Sequence, residues 1–83
     1  MILIMTIYKQ ALEIDESLGD MPGKATTLNN IATIQFKQGH YEEAIHNFEN
    51  ALQILIELGL ESSANAQTFR KNIEYAKQKL NEC

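Results

Sequence analysis

Apolar residues recur along the chain at spacings of three and four, the period of an amphipathic helix, and no stretch alternates with a period of two. Ile4, Ile7, Ala11, Ile14 and Leu18 form the first stripe and predict a helix from about Met1 to Leu18. Gly19 stops it, because glycine readily takes the positive φ that a helix end commonly requires. Asp20 is a capping residue and Pro22 is tolerated in a first turn, so a second helix follows to about Gln38. It is expected to bury Leu28, Ile31, Ala32 and one of Ile34 and Phe36, and Gly39 ends it. The third helix runs from near Tyr41 to Leu58, with Glu42 and Glu43 at its positive end. Its apolar residues (Ala44, Ile45, Phe48, Ala51, Leu52, Ile54, Leu55, Ile56, Leu58) spread far round the cylinder, so more than one side must be covered. After Gly59, Ser62 or Ser63 can cap a fourth helix carrying Phe69, Ile73, Ala76 and Leu80 on one stripe. The expected fold is all-α, with about four helices.

The chain also repeats itself. Tyr8, Ala11, Leu12, Ile14, Leu18 and Gly19 recur as Phe48, Ala51, Leu52, Ile54, Leu58 and Gly59, each pair 40 positions apart. Aromatic, small, branched and glycine positions recurring in order point to a helical repeat.

Between Leu28 and Leu52 the sequence resembles the tetratricopeptide repeat. The resemblance rests on Leu28-Asn29-Asn30-Ile31-Ala32, on Lys37-Gln38-Gly39-His40-Tyr41-Glu42-Glu43-Ala44 and on Phe48-Glu49-Asn50-Ala51-Leu52. The family sets a large and a small residue on the first helix, then a turn glycine, an aromatic, and a small-aromatic-small series. Ile31, Ala32, Gly39, Tyr41, Ala44, Phe48 and Ala51 occupy those places. Alanines let antiparallel helices approach closely, and the aromatics fill the wedge between them. Gln35 stands where an aromatic is usual and should loosen that part of the packing. The period of 40 is longer than the family's roughly 34, and looks like the extended subclass of kinesin light chains and polarity adaptors. The resemblance implies antiparallel helix-turn-helix repeats, a fragment of an α-solenoid in one domain over residues 1–83. Residues 1–19 are expected as a half repeat, 20–59 as a full repeat and 60–83 as a C-terminal capping helix. In the fourth helix Lys71 and Asn72 fall near the places of Ile31 and Ala32, a poor fit to the pattern.

The family binds extended or helical peptides on a concave surface lined by each repeat's first helix. Carried onto this chain, the resemblance implies a peptide-binding face of Thr26, Asn29, Asn30, Thr33 and Lys37. The Asn30 amide can bond a peptide backbone through both donor and acceptor, and Lys37 can receive a carboxylate. The plain alternative is a solvated polar face of an amphipathic helix.

Charge and composition narrow the function. The net charge of −4 is uneven: residues 1–61 hold three lysines against nine acids, and residues 62–83 four basic residues against two glutamates. An acidic body argues against nucleic-acid binding, which needs a concentrated basic surface. No stretch approaches the roughly 20 apolar residues of a membrane span. The run from Met1 to Ile7 lacks a basic leader and a small-residue cleavage site, so it does not read as a signal peptide. Cys83 is the one cysteine, an unpaired thiol expected to be exposed, and suits a reducing, cytoplasmic location. His40 and His46 are six apart, off any metal-binding helical pattern, and His46 is expected to pair with Glu42 or Glu43. Ser17, Ser62 and Ser63 have no partners at nucleophile spacing and there is no phosphate loop, so no catalysis, cofactor or metal is expected.

Repeat arrays generally need about three repeats to bury their faces. The apolar start of the first helix has no visible cover in the sequence. Four uncovered aliphatic side chains forgo roughly 6–12 kcal/mol, as much as a small domain's whole stability. Self-association, most simply a homodimer through Ile4, Ile7, Tyr8 and Ala11, is therefore expected. The leading function is a non-catalytic module for a protein or peptide partner. An oligomerising scaffold and a fragment of a larger regulator or enzyme are the alternatives.

Overall fold

A computed structural model describes residues 2–82; Met1 lies outside them, and so does Cys83 with its expected exposed thiol. It contains four helices, α1 (Ile2–Leu18), α2 (Met21–Lys37), α3 (Tyr41–Glu57) and α4 (Ala64–Glu82), and no strand among the described residues. The all-α reading holds. Each helix packs on its neighbour in the chain, most extensively α2 on α3 and least α1 on α2. The result is a slab measuring 39 × 33 × 15 Å.

The helix ends follow from local chemistry. Gly19, Gly39 and Gly59 have φ of 70°, 83° and 76°. Each closes its helix with the same bond pair. Gly19 and Asp20 donate to Glu16 and Asp15, Gly39 and His40 to Phe36 and Gln35, and Gly59 and Leu60 to Ile56 and Leu55. This is the Schellman arrangement, and it satisfies carbonyls that the last turn leaves free. At the starts, the Asp20 carboxylate accepts from the Gly23 N–H at 3.0 Å, with Pro22 in the first turn. Ser63, rather than Ser62, caps α4 by accepting from Ala66 N–H at 3.2 Å.

The core lies between the helices in two patches joined by Leu52. Ala25, Leu28, Ala51, Ile54, Leu55, Ala66 and Phe69 form one; Ala32, Ala44, Ile45, Phe48, Ile73 and Ala76 form the other. Six of these residues are alanines with no accessible surface, which is what allows the helix axes to come close. α3 is covered from both sides, by α2 and by α4, as its wide apolar arc requires. Ile34 is buried and Phe36 half-buried, its ring packed edge-on to Tyr41 at 5.2 Å between centroids.

Two expectations change. Gln35 does not loosen the packing: its carbonyl oxygen accepts from Asn47 Nδ2 at 2.8 Å, so a polar bond ties α2 to α3 where an aromatic is usual. The histidine beside a carboxylate is His40, 3.9 Å from Glu43, and not His46. The start of α1 is uncovered, as expected: Ile4 and Ile7 are exposed, as are Ile14 and Leu18, and α1 meets α2 through Leu12 and through Asp15, whose carboxylate accepts from Thr27 Oγ1 at 2.9 Å.

α4 fits the repeat better than its sequence suggests. In α2 the buried stripe on the side of α1 is Thr27, Ile31 and Ile34; in α4 the stripe against α3 is Phe69, Ile73 and Ala76. The offset between these stripes is 42, not the 40 that relates α1 to α3. The longer connection Leu58–Ser63 absorbs the difference. Lys71 and Asn72 therefore stand where α2 has Asn29 and Asn30, on the polar face that α4 shares with α2, and not where it has Ile31 and Ala32.

Candidate protein-binding surface

The five residues singled out on α2 fall at 26, 29, 30, 33 and 37, which helical spacing of three and four gathers on one stripe. Thr26 and Thr33 turn their hydroxyls back onto their own helix, to the Pro22 carbonyl at 3.2 Å and the Asn29 carbonyl at 2.9 Å. Lys37 is exposed, and Asn29 and Asn30 are half-buried.

The two asparagines differ. Asn29 Oδ1 accepts from Asn72 Nδ2 at 3.0 Å, a bond that joins α2 directly to α4. A second link lies further along both helices, where the rings of Phe36 and Tyr75 sit 5.2 Å apart. Asn29 is thus occupied in building the surface. Among the described residues the Asn30 side chain makes no hydrogen bond, so its donor and its acceptor remain available.

These links make one surface of two helices. Thr68, Lys71, Asn72, Tyr75 and Lys79 continue the stripe across α4, 42 positions after Thr26, Asn29, Asn30, Thr33 and Lys37. Helical pattern with a fixed 40-residue period misses them, since it turns α4 to the wrong face. Tyr75 is exposed, and the Lys79 ammonium lies 5.6 Å from its ring centroid. Lys79 also pairs with Glu82 at 3.6 Å. The surface carries Lys37, Lys71 and Lys79, while α2 has no acidic residue at all. Most carboxylates sit on α1, α3 and their ends, so this face carries more lysines than carboxylates.

A sequence model of the tetratricopeptide repeat family matches residues 6–57, from α1 to the end of α3. The chain belongs to the tetratricopeptide repeat family. No curated protein and no solved structure matches it. Tetratricopeptide repeats are typically non-catalytic units that mediate protein–protein interaction. In this member the match ends before α4, so the half of the surface that α4 supplies comes from the three-dimensional packing alone.

Other features of this tetratricopeptide repeat chain are less suited to a ligand. An open groove of about 420 Å³ between α3 and α4 has Leu52, Ile56 and Ile73 at its floor. Two of its basic rim residues are already engaged, Lys77 with Glu49 at 3.6 Å and Arg70 with the Glu61 carbonyl at 2.6 Å. No cluster of three metal-ligating side chains occurs among the described residues, and no helix there is long and apolar enough to cross a membrane. Of the four residues expected at a self-association seam, Ile4 and Ile7 are exposed and Ala11 is half-buried beside them. Tyr8 shares the stripe of Leu12 and Asp15, on the side of α1 that turns to α2.

Proposed function

We propose that this chain is a non-catalytic tetratricopeptide interaction unit that holds a carboxylate-bearing segment of a partner protein on its α2–α4 face. In this reading α2 and α3 form the full repeat, α1 is the second half of another, and α4 is a cap that also lends its inner face to binding. The observation that carries the reading is the unpaired Asn30 amide between Thr26, Thr33 and Lys37, on a face whose own carboxylates are absent from α2. An amide with both functions free suits a peptide backbone, and Lys37 and Lys71 supply charge complementarity for an acidic side chain or chain terminus. The same unit is proposed to self-associate through α1, whose apolar stripe nothing in the described structure covers.

Titration of fluorescent peptides tests the binding face. Acidic peptides with a free terminal carboxylate should bind, and neutral amidated ones at least tenfold more weakly. Asn30→Ala with Lys37→Ala removes one amide pair and one charge-assisted bond, each about 1–3 kcal/mol, so affinity should fall by at least tenfold. Equal affinity of the double variant, with unchanged helicity by circular dichroism, would place binding elsewhere.

A further inference from the structure

The exposed stripe of α1 has a counterpart inside the molecule that says what it can accept. Ile4, Ile7, Ala11 and Ile14 stand 40 positions before Ala44, Asn47, Ala51 and Ile54. On α3, Ala51 and Ile54 share a core patch with Ala25 and Leu28 of α2, Ala44 shares one with Ala32, and Asn47 bonds Gln35. A helix like α2 docks there because Ala44 is small and Asn47 is polar. On α1 both are replaced by isoleucine, so an α2-type helix would meet bulk where it needs room and would leave its Gln35-type amide unpaired. Stacking of another molecule's α4 on this stripe is unsuitable for a similar reason. In α4 the positions of Ala25, Leu28 and Ala32 are Gln67, Arg70 and Glu74, a polar outer face fit for solvent.

The stripe is instead complementary to itself. Ile4, Ile7, Ala11, Ile14 and Leu18 alternate steps of three and four, the spacing of a two-helix seam. Size is symmetric about the centre: two large residues, one alanine, two large residues. Ile4, Ile7, Ile14 and Leu18 are exposed by 46, 60, 58 and 76%. The outer flank, Leu3, Gln10 and Ser17, holds no charge to repel a copy.

We propose that a second copy of this chain covers the stripe, with the two α1 helices crossing antiparallel about a two-fold axis at Ala11. Ala11 meets its own copy at the closest approach, Ile7 packs on Ile14 of the partner, and Ile4 on Leu18 of the partner. The inference rests on the self-association reading and specifies its geometry. A fully buried aliphatic side chain contributes about 60–120 Å² of apolar area, so each copy brings about 200–400 Å² from these side chains. Two copies together bury about 400–800 Å² from these side chains, less than a standard interface of about 1,600 Å², so the dimer is weak and concentration-dependent.

Sedimentation and cysteine cross-linking test it, in a Cys83→Ser background. The full chain should sediment as a dimer at about 100 μM. Ile7→Lys with Ile14→Lys, at exposed sites, should keep its helicity and raise the dissociation constant at least a hundredfold. Under mild oxidation Ala11→Cys should form a disulfide-linked dimer, since bridged Cα atoms must lie within about 7 Å. Ile4→Cys alone should cross-link at least tenfold more slowly, and Ile4→Cys mixed with Leu18→Cys should form the mixed dimer. A monomer at 100 μM overturns both the seam and the self-association. A dimer that cross-links through Ile4→Cys as fast as through Ala11→Cys is parallel, and overturns the geometry alone. A dimer unaffected by the two lysines overturns the seam and leaves self-association standing.

Discussion

The attachment of α1 rests on the least extensive of the helix contacts, and one hydrogen bond within it is open to a clean test. Thr27 is only 8% exposed, and its hydroxyl donates to the Asp15 carboxylate at 2.9 Å. Thr27→Val keeps the branched shape and deletes the donor, so no cavity is created and the change isolates the bond. Hydrogen bonds to charged groups contribute about 1.5–3 kcal/mol. Asp15 is half-buried and water can reach it after the substitution, which brings the expected loss to about 1–2 kcal/mol. That loss falls on the α1–α2 contact, so it should raise the opening equilibrium of α1 roughly 5- to 30-fold while α2 and α3 stay closed. Native-state hydrogen exchange read by mass spectrometry on α1 and α3 peptides measures this directly. Faster exchange confined to α1 supports the argument. Unchanged exchange in α1, or an equal rise in α3, would refute it: the first means the bond contributes nothing, the second that α1 does not open as a separate unit. Asp15→Asn retains a neutral acceptor and should give a smaller rise.

Other outcomes follow from the same geometry. Gly39→Ala meets no atom within 4 Å, so only the φ of 83° acts; a loss of about 1–2 kcal/mol is expected, lowering Tm by roughly 4–8 °C per kcal/mol in a domain of this size by scanning calorimetry. Phe69→Ala empties a site that is 4% exposed between α3 and α4 and should cost about 3–5 kcal/mol, seen as a large fall in the urea midpoint. Asn47→Ala deprives Gln35 of its 2.8 Å partner and should cost about 1 kcal/mol in the same assay. Asn30→Ala removes no hydrogen bond among the described residues and should leave that midpoint within about 0.5 kcal/mol of wild type, while weakening peptide binding.

Much of this fold is local and legible from the chain. Helix boundaries depend on which residues take positive φ and which side chains satisfy a first turn, and Gly19, Gly39, Gly59, Asp20 and Ser63 act through neighbours three to five positions away. The stripe from Thr26 to Lys37 was equally legible, because helical spacing alone places those residues together. Tertiary structure decided the rest. Periodicity gives the phase of apolar residues within one helix, but not how that helix is rotated against the next. Ile4, Ile7, Ile14 and Leu18 carry the pattern of a buried stripe and are exposed, since Leu12 and Asp15 turn towards α2 instead. In the same way a shift of two positions in α4, set by the Leu58–Ser63 connection and the fit of Phe69, Ile73 and Ala76 against α3, brings Asn72 onto Asn29. Pairings such as Asp15 with Thr27 or Gln35 with Asn47 lie 12 positions apart, and only close packing of two helices brings their polar atoms within hydrogen-bonding distance.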